Sequence, residues 1–422
     1  MQVLDAIRGM LGQLGVSVVI PVVIMIICLV LGAKLKKALI AGMTFGAAYI
    51  GLNLVIGLML TTISPMANTI MQSFNVNKSI LDVGWQVGAS IAYSTPVGSM
   101  IILVSLGVNI LMILTKTTKT LNVDVWNFWN HAFTASAVYI ASGSLLFGLF
   151  AGACHAALCL IIADRTAKRV QEFYGIPGIS IPHGWGVTSV PIILGVNWVL
   201  DRIPGVRDIV WDEKKIQEKW GIFGNPLVLG FVLGAALGLL AGYWSNIPLL
   251  LSSSITIGAV MLILPRFIGL FMESLSIVSE AVKSFMDKRF KGREFYIGLD
   301  TAILIGHPVT ISASLVLIPI VILLSVFLPG NRVLAFGDLA ALAYFVALVP
   351  CLSKGNLFRS IICGTVIMAI VLWICTSFGS SLTQMAVQAG YALPEGTSDI
   401  TALSAGNWIC WVFFQIGRLF GA

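Results

Sequence analysis

Charged side chains are scarce in this chain. Only 10% of its 422 residues are Asp, Glu, Lys or Arg, whereas a soluble globular protein carries about a quarter. Hydrophobic residues make up 58% of the chain, and the mean hydropathy is +0.97. Runs such as "VSVVIPVVIMIICLVLGA" (16–33) are long enough to cross ~30 Å of hydrocarbon at about 1.5 Å per residue. The composition therefore excludes a soluble protein and predicts an all-α polytopic membrane protein.

Motifs for several kinds of chemistry are also absent from the sequence. The 7 cysteines are scattered, with no CxxC and no histidine at zinc spacing, so we interpret them as small apolar packing residues. Without GxxxxGK[ST] the chain is no ATP-driven pump by itself, and without HExxH, GxSxG or a Cys–His arrangement it is not a hydrolase. The sequence has no basic stripe with interleaved aromatics, so it gives no indication of nucleic-acid binding. We expect the protein to use no cofactor and no metal. Its energy source is then expected to be an ion gradient or a partner protein.

Long apolar runs predict about eleven membrane-spanning segments. They lie near 12–33, 38–61, 98–115, 124–142, 144–163, 226–243, 247–264, 309–328, 334–350, 355–376 and 403–420.

The basic residues between these runs predict the orientation. With the N-terminus outside and the C-terminus in the cytoplasm, the clusters at 34–37, 115–119, 164–169 and 283–293 all face the cytoplasm, as the positive-inside rule requires. This arrangement holds only if the 176–200 region enters and leaves the membrane on the same side. We therefore expect a multi-pass protein of a cell membrane.

Two segment pairs indicate an internal repeat. "IGLMLTTISPMANTIMQSF" (56–74) is similar to "IGLFMESLSIVSEAVKSF" (268–285), and "SGSLLFGLFAG" (142–152) to "KGNLFRSIICG" (354–364). Chance similarity between apolar segments is the alternative, but both pairs share one offset. Because the first unit contains five crossings, the second copy is inverted in the membrane, as in many secondary transporters.

The predicted organisation follows from the spans and the repeat. It consists of a first inverted five-helix repeat over 1–175 with a re-entrant hairpin near 81–99, a Gly/Pro-rich loop and cytoplasmic linker over 176–222, a second repeat over 223–380 with a hairpin near 295–310, and an extra C-terminal helix over 381–422.

Ionisable and polar groups within the apolar segments are the candidate site residues. Each buried charge costs several kcal/mol unless it is paired or hydrated, so it marks a functional position by default. Carboxylates accept hydrogen bonds from hydroxyl groups, and tryptophans stack on the C–H face of a polyol; the alternative is that the carboxylates cap broken helices. His155, on an apolar helical run, is expected to be a packing residue, and Asp338 corresponds to Asp124 in the repeat. The candidate substrate-binding residues are His183, Asp300, Asp82, Trp85, Asp124, Asn127, Asn130, His131 and His307.

The stretch "GISIPHGWGV" (178–187) combines a histidine with an irregular backbone. Pro182 has no N–H to donate, and the three glycines permit φ values that other residues avoid. Irregular backbone at membrane depth has to line a cavity or be buried in protein. We therefore expect His183 to line the substrate cavity, close to Asp300 across the repeat interface; a loop histidine that caps the next helix is the alternative.

The motifs together resemble a known family of permeases. "NVDVWNFWNHAF" (122–133), "GIPGISIPHG" (175–184), "REFYIGLD" (293–300), "VLAFGDLA" (333–340) and "KGNLFRS" (354–360) are similar to those of the galactitol-type enzyme IIC of the bacterial phosphoenolpyruvate-dependent phosphotransferase system, which is related to the ascorbate-type permeases. The resemblance implies two inverted five-helix repeats, re-entrant hairpins, an eleventh helix and a homodimer. It also implies a departure, because the family motif has a histidine where this chain has Asn130.

The resemblance implies a transport subunit that is not an enzyme on its own. Such a subunit binds a galactitol-like polyol, carries it inward and presents a hydroxyl to a phosphocysteine on a separate IIB protein. A IIA protein supplies the phosphoryl group to IIB. His183 or Asp300 could accept the hydroxyl proton. The alternative from a different class is an ion-coupled secondary transporter of a polyol or similar solute, in which the aspartates carry protons or Na⁺.

Overall fold

The computed structural model describes residues 16–30, 32–73, 78–124, 126–211, 226–289, 294–335, 337–388 and 399–420. In chain order the α-helices are α1 (Val16–Val30), α2 (Leu35–Ser73), α3 (Trp85–Ser94), α4 (Pro96–Leu114), α5 (Trp129–Ser142), α6 (Leu145–Tyr174), α7 (Val190–Leu200), α8 (Pro226–Leu240), α9 (Ile247–Arg289), α10 (Ala302–Ile305), α11 (Pro308–Phe327), α12 (Leu342–Val346), α13 (Val349–Leu352), α14 (Leu357–Phe378), α15 (Ser381–Gln388) and α16 (Trp408–Phe420). The strands are β1 (Ile80–Asp82), β2 (Thr120–Asn122), β3 (Ile179–Ser180), β4 (Tyr296–Gly298), β5 (Val333–Leu334) and β6 (Asp399–Thr401).

Long apolar helices make this a helical multi-pass membrane protein. Within the described ranges, α4, α6, α11 and α14 each have the length and apolar composition to cross a bilayer. Shorter apolar helices, among them α16, accompany them. The helical class is thus confirmed, while the number of about eleven spans stays a prediction.

Three predicted spans differ from the helices observed. The span expected over 403–420 is α-helical only from Trp408, after β6 and a 3₁₀ turn. The span expected over 334–350 is broken into β5, a 3₁₀ turn (Leu339–Ala341) and the short helices α12 and α13. The helix expected from 124 begins only at Trp129, after a 3₁₀ turn. All three segments are apolar enough to read as helices, and the prediction missed that a strand precedes each turn. The first residues of the 12–33 span lie outside the described part of the chain.

Both expected hairpins are broken segments. Between 81 and 99 the chain passes from β1 through α3 to α4, which begins at Pro96 and is capped by the Thr95 hydroxyl, an acceptor for the Gly98 N–H at 2.9 Å. Between 295 and 314 it passes from β4 through the single turn of α10 to α11, which begins at Pro308. Proline is favoured at a first helical position because its missing N–H has no partner there anyway.

The six short strands form two parallel sheets that exchange strands between the two halves of the chain. Sheet A has the order β5-β1-β6, and sheet B has the order β2-β4-β3. Each sheet therefore carries in its centre the strand that opens a hairpin, flanked by two strands from the other half of the chain. The register sets Gly298 level with Asn122 and Ser180 in sheet B.

The buried core surrounds these sheets. The largest cluster contains apolar residues from β3, β4 and β5, together with residues of α11, α12 and α14. The long helices α2 and α9 pack against each other, and α1 and α8 pack on them. Strand residues thus form part of the same buried core as the helices.

Gly298 allows the strands of sheet B to approach closely. A Cβ added to it would lie 2.6 Å from Cγ of Pro182 and 2.9 Å from Cα of Asn122. Contacts this short require the neighbouring backbone to move.

We expect Gly298→Ala to lower the melting temperature of the purified protein in detergent, because overpacking at a site walled by backbone costs roughly 1–3 kcal/mol. Gly195→Ala on α7 is the matched control, since its added Cβ meets nothing within 4 Å. An equal melting temperature for both variants would contradict the close packing of sheet B.

Candidate functional site

The carboxyl ends of the strands in sheet B bring together three residues that the sequence singled out. Asp124 follows β2, His183 follows β3 and Asp300 follows β4, and the three strands are parallel and in register. Residues two or three positions beyond level strand ends lie within about 10 Å of those ends, at about 3.3 Å per residue. Two carboxylates and an imidazole therefore share one edge of the sheet.

His183 and Asp300 face each other at this edge. His183 Nε2 lies 3.7 Å from Asp300 Oδ1, and their side chains are 8% and 32% exposed. The Gly186 backbone N–H donates to His183 Nδ1 at 2.9 Å, so the proton of the neutral ring lies on Nε2 and points toward the carboxylate. A separation of 3.7 Å is too long for a direct hydrogen bond.

The Asp300 carboxylate has spare accepting capacity. Oδ1 accepts from the Ala302 N–H at 3.1 Å and from the Thr301 hydroxyl at 3.2 Å. Oδ2 accepts no hydrogen bond within the described chain, although a carboxylate oxygen has two lone pairs. Asp300 also interacts electrostatically with Asp124.

Asp124 is held by the residues on either side of it. Its two carboxylate oxygens each lie 2.9 Å from Nδ2 of Asn127, and its N–H donates to Oδ1 of Asn122 at 3.0 Å. The Asn130 amide in turn donates to the Asn127 carbonyl at 3.1 Å, while its Oδ1 is buried without a partner among the described residues. This segment therefore presents one unused acceptor.

His131 presents a second unused polar atom. Its Nδ1 bonds to the Ser105 hydroxyl at 3.0 Å, whereas its buried Nε2 has no hydrogen-bond partner in the described part of the chain. A Cβ on Gly184 would lie 3.3 Å from this Nε2 and 2.6 Å from Cβ of Asn130. Both residues therefore abut the loop that carries His183.

Sheet A ends in a second pair of carboxylates, whose surroundings are different. Asp82 Oδ1 accepts from the N–H groups of Gly84 at 3.1 Å and Leu403 at 3.2 Å, and Oδ2 accepts from Asp338 N–H at 2.9 Å. Asp338 Oδ1 accepts from Trp85 N–H, and its Oδ2 from Ser404 N–H, both at 2.8 Å. The candidates Asp82 and Trp85 thus belong to an edge where carboxylates cap backbone N–H groups.

His307 caps a helix. Its Nδ1 accepts from the Val309 N–H at 3.3 Å. The centroid of its ring lies 4.8 Å from that of Phe173 and 5.4 Å from that of Tyr174. These contacts belong to the start of α11. A substrate role for His307 stays a prediction.

Two residues carry more of the site than the sequence indicated. Asp338 ties the first residue of α3 to the segment after β6. His155 contacts the His183 loop through the Gly184 carbonyl at 2.7 Å. The signal for Asp338 was its place opposite Asp124 in the repeat. Nothing in the apolar run around His155 indicated its loop contact.

We expect Asp82→Asn to destabilise the protein by about 1–3 kcal/mol, because an amide NH₂ would face a backbone N–H and leave buried groups unpaired. The matched variant Asp300→Asn should lower the melting temperature much less, since its side chain is one-third exposed. Thermal unfolding in detergent measures both. A larger loss of stability for the Asp300 variant would contradict the contrast between the two edges.

Comparison with known proteins identifies the family of this chain. A family model described as the PTS system sugar-specific permease component matches residues 10–396. The chain is 39% identical over 407 residues to the putative permease IIC component of Escherichia coli (strain K12), covering 96% of this chain and 93% of that protein. It is also 39% identical over 404 residues to the PTS system galactitol-specific EIIC component of the same strain, covering 96% of this chain and 89% of that protein. The chain therefore belongs to the family of sugar-specific permease components of the phosphotransferase system.

Proposed function

We propose that this chain binds a galactitol-like polyol at the edge of sheet B and carries it inward while a separate IIB protein phosphorylates it. A phosphocysteine on IIB, charged by a IIA protein, would be the phosphoryl donor. The polyol class is supported by the galactitol-specific relatives. Family membership also favours group translocation over the alternative of ion-coupled transport.

The geometry of His183 and Asp300 is the observation that carries the proposal. A polyol hydroxyl both donates and accepts hydrogen bonds. The site offers the N–H of His183 as the donor and the unused Oδ2 of Asp300 as the acceptor, on a carboxylate whose Oδ1 lies 3.7 Å from that nitrogen. A hydroxyl that accepts from His183 at about 2.9 Å would lie beside the carboxylate and donate to Oδ2. In this position Asp300 would accept the hydroxyl proton as the phosphoryl group is transferred, and His183 would hold the oxygen in place.

The unused atoms next to this pair suit a molecule with several hydroxyls. Asn130 Oδ1 is an acceptor, and His131 Nε2 can donate or accept according to its tautomer. Burying such groups without partners is costly, and a bound polyol would satisfy them. Asp124 and Asn127 complete the polar segment, whereas Asp82, Trp85 and His307 would act from a greater distance.

The strand exchange between the sheets supports the inverted repeat. The predicted first repeat, 1–175 with the loop over 176–222, supplies β1, β2 and β3, and the later segments over 223–380 and 381–422 supply β4, β5 and β6. The central strand β1 of sheet A corresponds in order to the central strand β4 of sheet B. An exchange of this kind is expected of two similar units related by a pseudo-two-fold axis.

The parallel pairing within each sheet agrees with the proposed orientation. The strands of sheet B follow segments rich in basic residues, which the positive-inside rule assigns to the cytoplasm. Sheet A follows the segments of Lys78 and Arg332, which would lie outside. In this orientation the N-terminus is outside, the C-terminus is in the cytoplasm of the bacterial cell, and the substrate site is on the side from which IIB approaches.

We also propose that the protein is a homodimer, on the resemblance alone.

Single cysteines in a background with the native cysteines replaced test this orientation. Cysteines at exposed Lys116 and Lys354 should react with an impermeant maleimide only in opened cells, whereas a cysteine at Arg332 should react in intact cells. Labelling of position 116 in sealed cells would overturn the threading.

The substrate proposal is tested with His183→Gln and Asp300→Asn. We expect each to weaken polyol binding by about 1–3 kcal/mol, because each leaves a substrate hydroxyl or its partner unpaired. Binding is measured with a panel of radiolabelled polyols, and phosphorylation by adding phosphoenolpyruvate, the general phosphotransferase proteins and matching IIA and IIB. Unchanged affinity in well-folded variants, or no phosphorylation of any polyol by the wild type, would defeat the proposal.

A further inference from the structure

His155 joins two helices to the loop that carries His183. It lies on α6 and is completely buried. One ring nitrogen, Nδ1, is 2.8 Å from the hydroxyl of Thr134 on α5, and the other, Nε2, is 2.7 Å from the carbonyl oxygen of Gly184. Both nitrogens are therefore used, and both contacts are short.

The two contacts fix which nitrogen carries the proton. A carbonyl oxygen can only accept, so Nε2 of His155 donates to Gly184. In the neutral ring Nδ1 is then the acceptor, and the Thr134 hydroxyl donates to it. The neutral ring thus satisfies both contacts, with one nitrogen as donor and the other as acceptor.

The Gly184 carbonyl controls the geometry of the next turn. His183 accepts from Gly186 N–H through its ring and from Val187 N–H through its carbonyl, at 2.9 and 3.2 Å. The peptide group between residues 184 and 185 lies inside this turn, next to the Gly186 N–H that holds the ring of His183. Its carbonyl accepts from Nε2 of His155 at 2.7 Å and from the Cys159 thiol at 3.9 Å, so the short bond from His155 is the stronger restraint on that peptide.

We infer that Thr134 and His155 form a relay that positions His183. Thr134 orients the ring of His155, His155 fixes the Gly184 carbonyl, and the turn then holds Nε2 of His183 toward Asp300. His155 is thus a positioning residue and does not contact the substrate. Its effect on binding rests on the proposed function of His183.

A metal site is the competing interpretation of the same cluster. One ligand atom each from His131, His155 and Cys159 lies within 4.8 Å of the others. A metal at this position would need a lone pair on a ring nitrogen of His155, but Nε2 is protonated toward Gly184 and Nδ1 accepts from Thr134. The hydrogen-bond pattern therefore favours the relay.

Hydrogen–deuterium exchange of the loop tests the relay without any ligand. In His155→Leu and Thr134→Val we expect the peptide over 178–189 to exchange faster than in the wild type, by about 2- to 10-fold for the loss of one buried hydrogen bond. His155→Gln keeps an amide donor near the position of Nε2 and should exchange at nearly the wild-type rate. Thr166→Val on α6 is the matched control, because that hydroxyl bonds to carbonyls of its own helix, at Ile162 and Ala163.

The outcomes of this exchange experiment are decisive. Wild-type exchange in both His155→Leu and Thr134→Val would overturn the relay, and so would equal acceleration in Thr134→Val and Thr166→Val, which would indicate general loosening. Thr134→Val removes only a hydroxyl, so it keeps the test available where His155→Leu does not fold. Loss of exchange protection on treatment of the wild type with a strong chelator would replace the relay with the metal interpretation.

Binding of radiolabelled galactitol to the purified full chain separates this inference from the proposed function. We expect His155→Leu to raise Kd by about 2- to 10-fold and His155→Gln to leave it nearly unchanged. In the double variant with His183→Gln, the His155→Leu change should add little, because the positioned group is gone. If His183→Gln alone leaves Kd unchanged, the proposed site fails and the role of His155 in binding falls with it; if His183→Gln weakens binding and His155→Leu does not, only the relay fails.

Discussion

Backbone hydrogen bonding at membrane depth is the constraint on which this structure depends. In hydrocarbon every N–H and C=O group needs a partner within the protein, so a chain that leaves the helical conformation must find one elsewhere. Among the described residues, six segments leave it to form short strands, and each strand pairs with one from the other half of the chain. Neither half could satisfy its broken segments alone, so the fold of each half requires the other.

The carboxylates that follow the strands make different contacts at the two sheets. At sheet A, the carboxylates of Asp82 and Asp338 bind the backbone N–H groups of neighbouring segments and hold them together. At sheet B, Asp300 keeps one oxygen that has no hydrogen-bond partner among the described residues, and its other oxygen lies 3.7 Å from His183. The carboxylates of sheet A are thus used by the protein backbone, whereas Asp300 at sheet B retains an acceptor.

The sequence allowed the class of the fold and the two breaks at the expected hairpins to be predicted, because both depend on local signals. Apolar runs identify helices, and Pro96 and Pro308 mark where new helices begin. The closeness of His183 to Asp300 was also predicted, from the irregular Pro- and Gly-containing backbone over 178–187, which has to line a cavity at membrane depth. These features require only that corresponding segments of the two halves occupy corresponding positions in the fold.

The pairing between segments distant along the chain could not be predicted from the sequence. The strands are two or three residues long, too short for alternation to be seen, and the register of β1 against β6 joins residues more than three hundred positions apart. For the same reason the apolar stretch over 334–350 was predicted to be one helix, although β5 lies at its start. Whether a carboxylate binds a ligand or its own backbone depends on those pairings, so Asp82 and Asp300 could not be told apart.

The exchange of strands also limits how this permease can move. A rocking motion of one half of the chain against the other would shear β1 from between β5 and β6, and β4 from between β2 and β3, leaving their backbone groups bare in an apolar medium. The strand segments of the two halves are therefore interlocked. Any motion that keeps their backbone groups paired must carry the strand segments of both halves together.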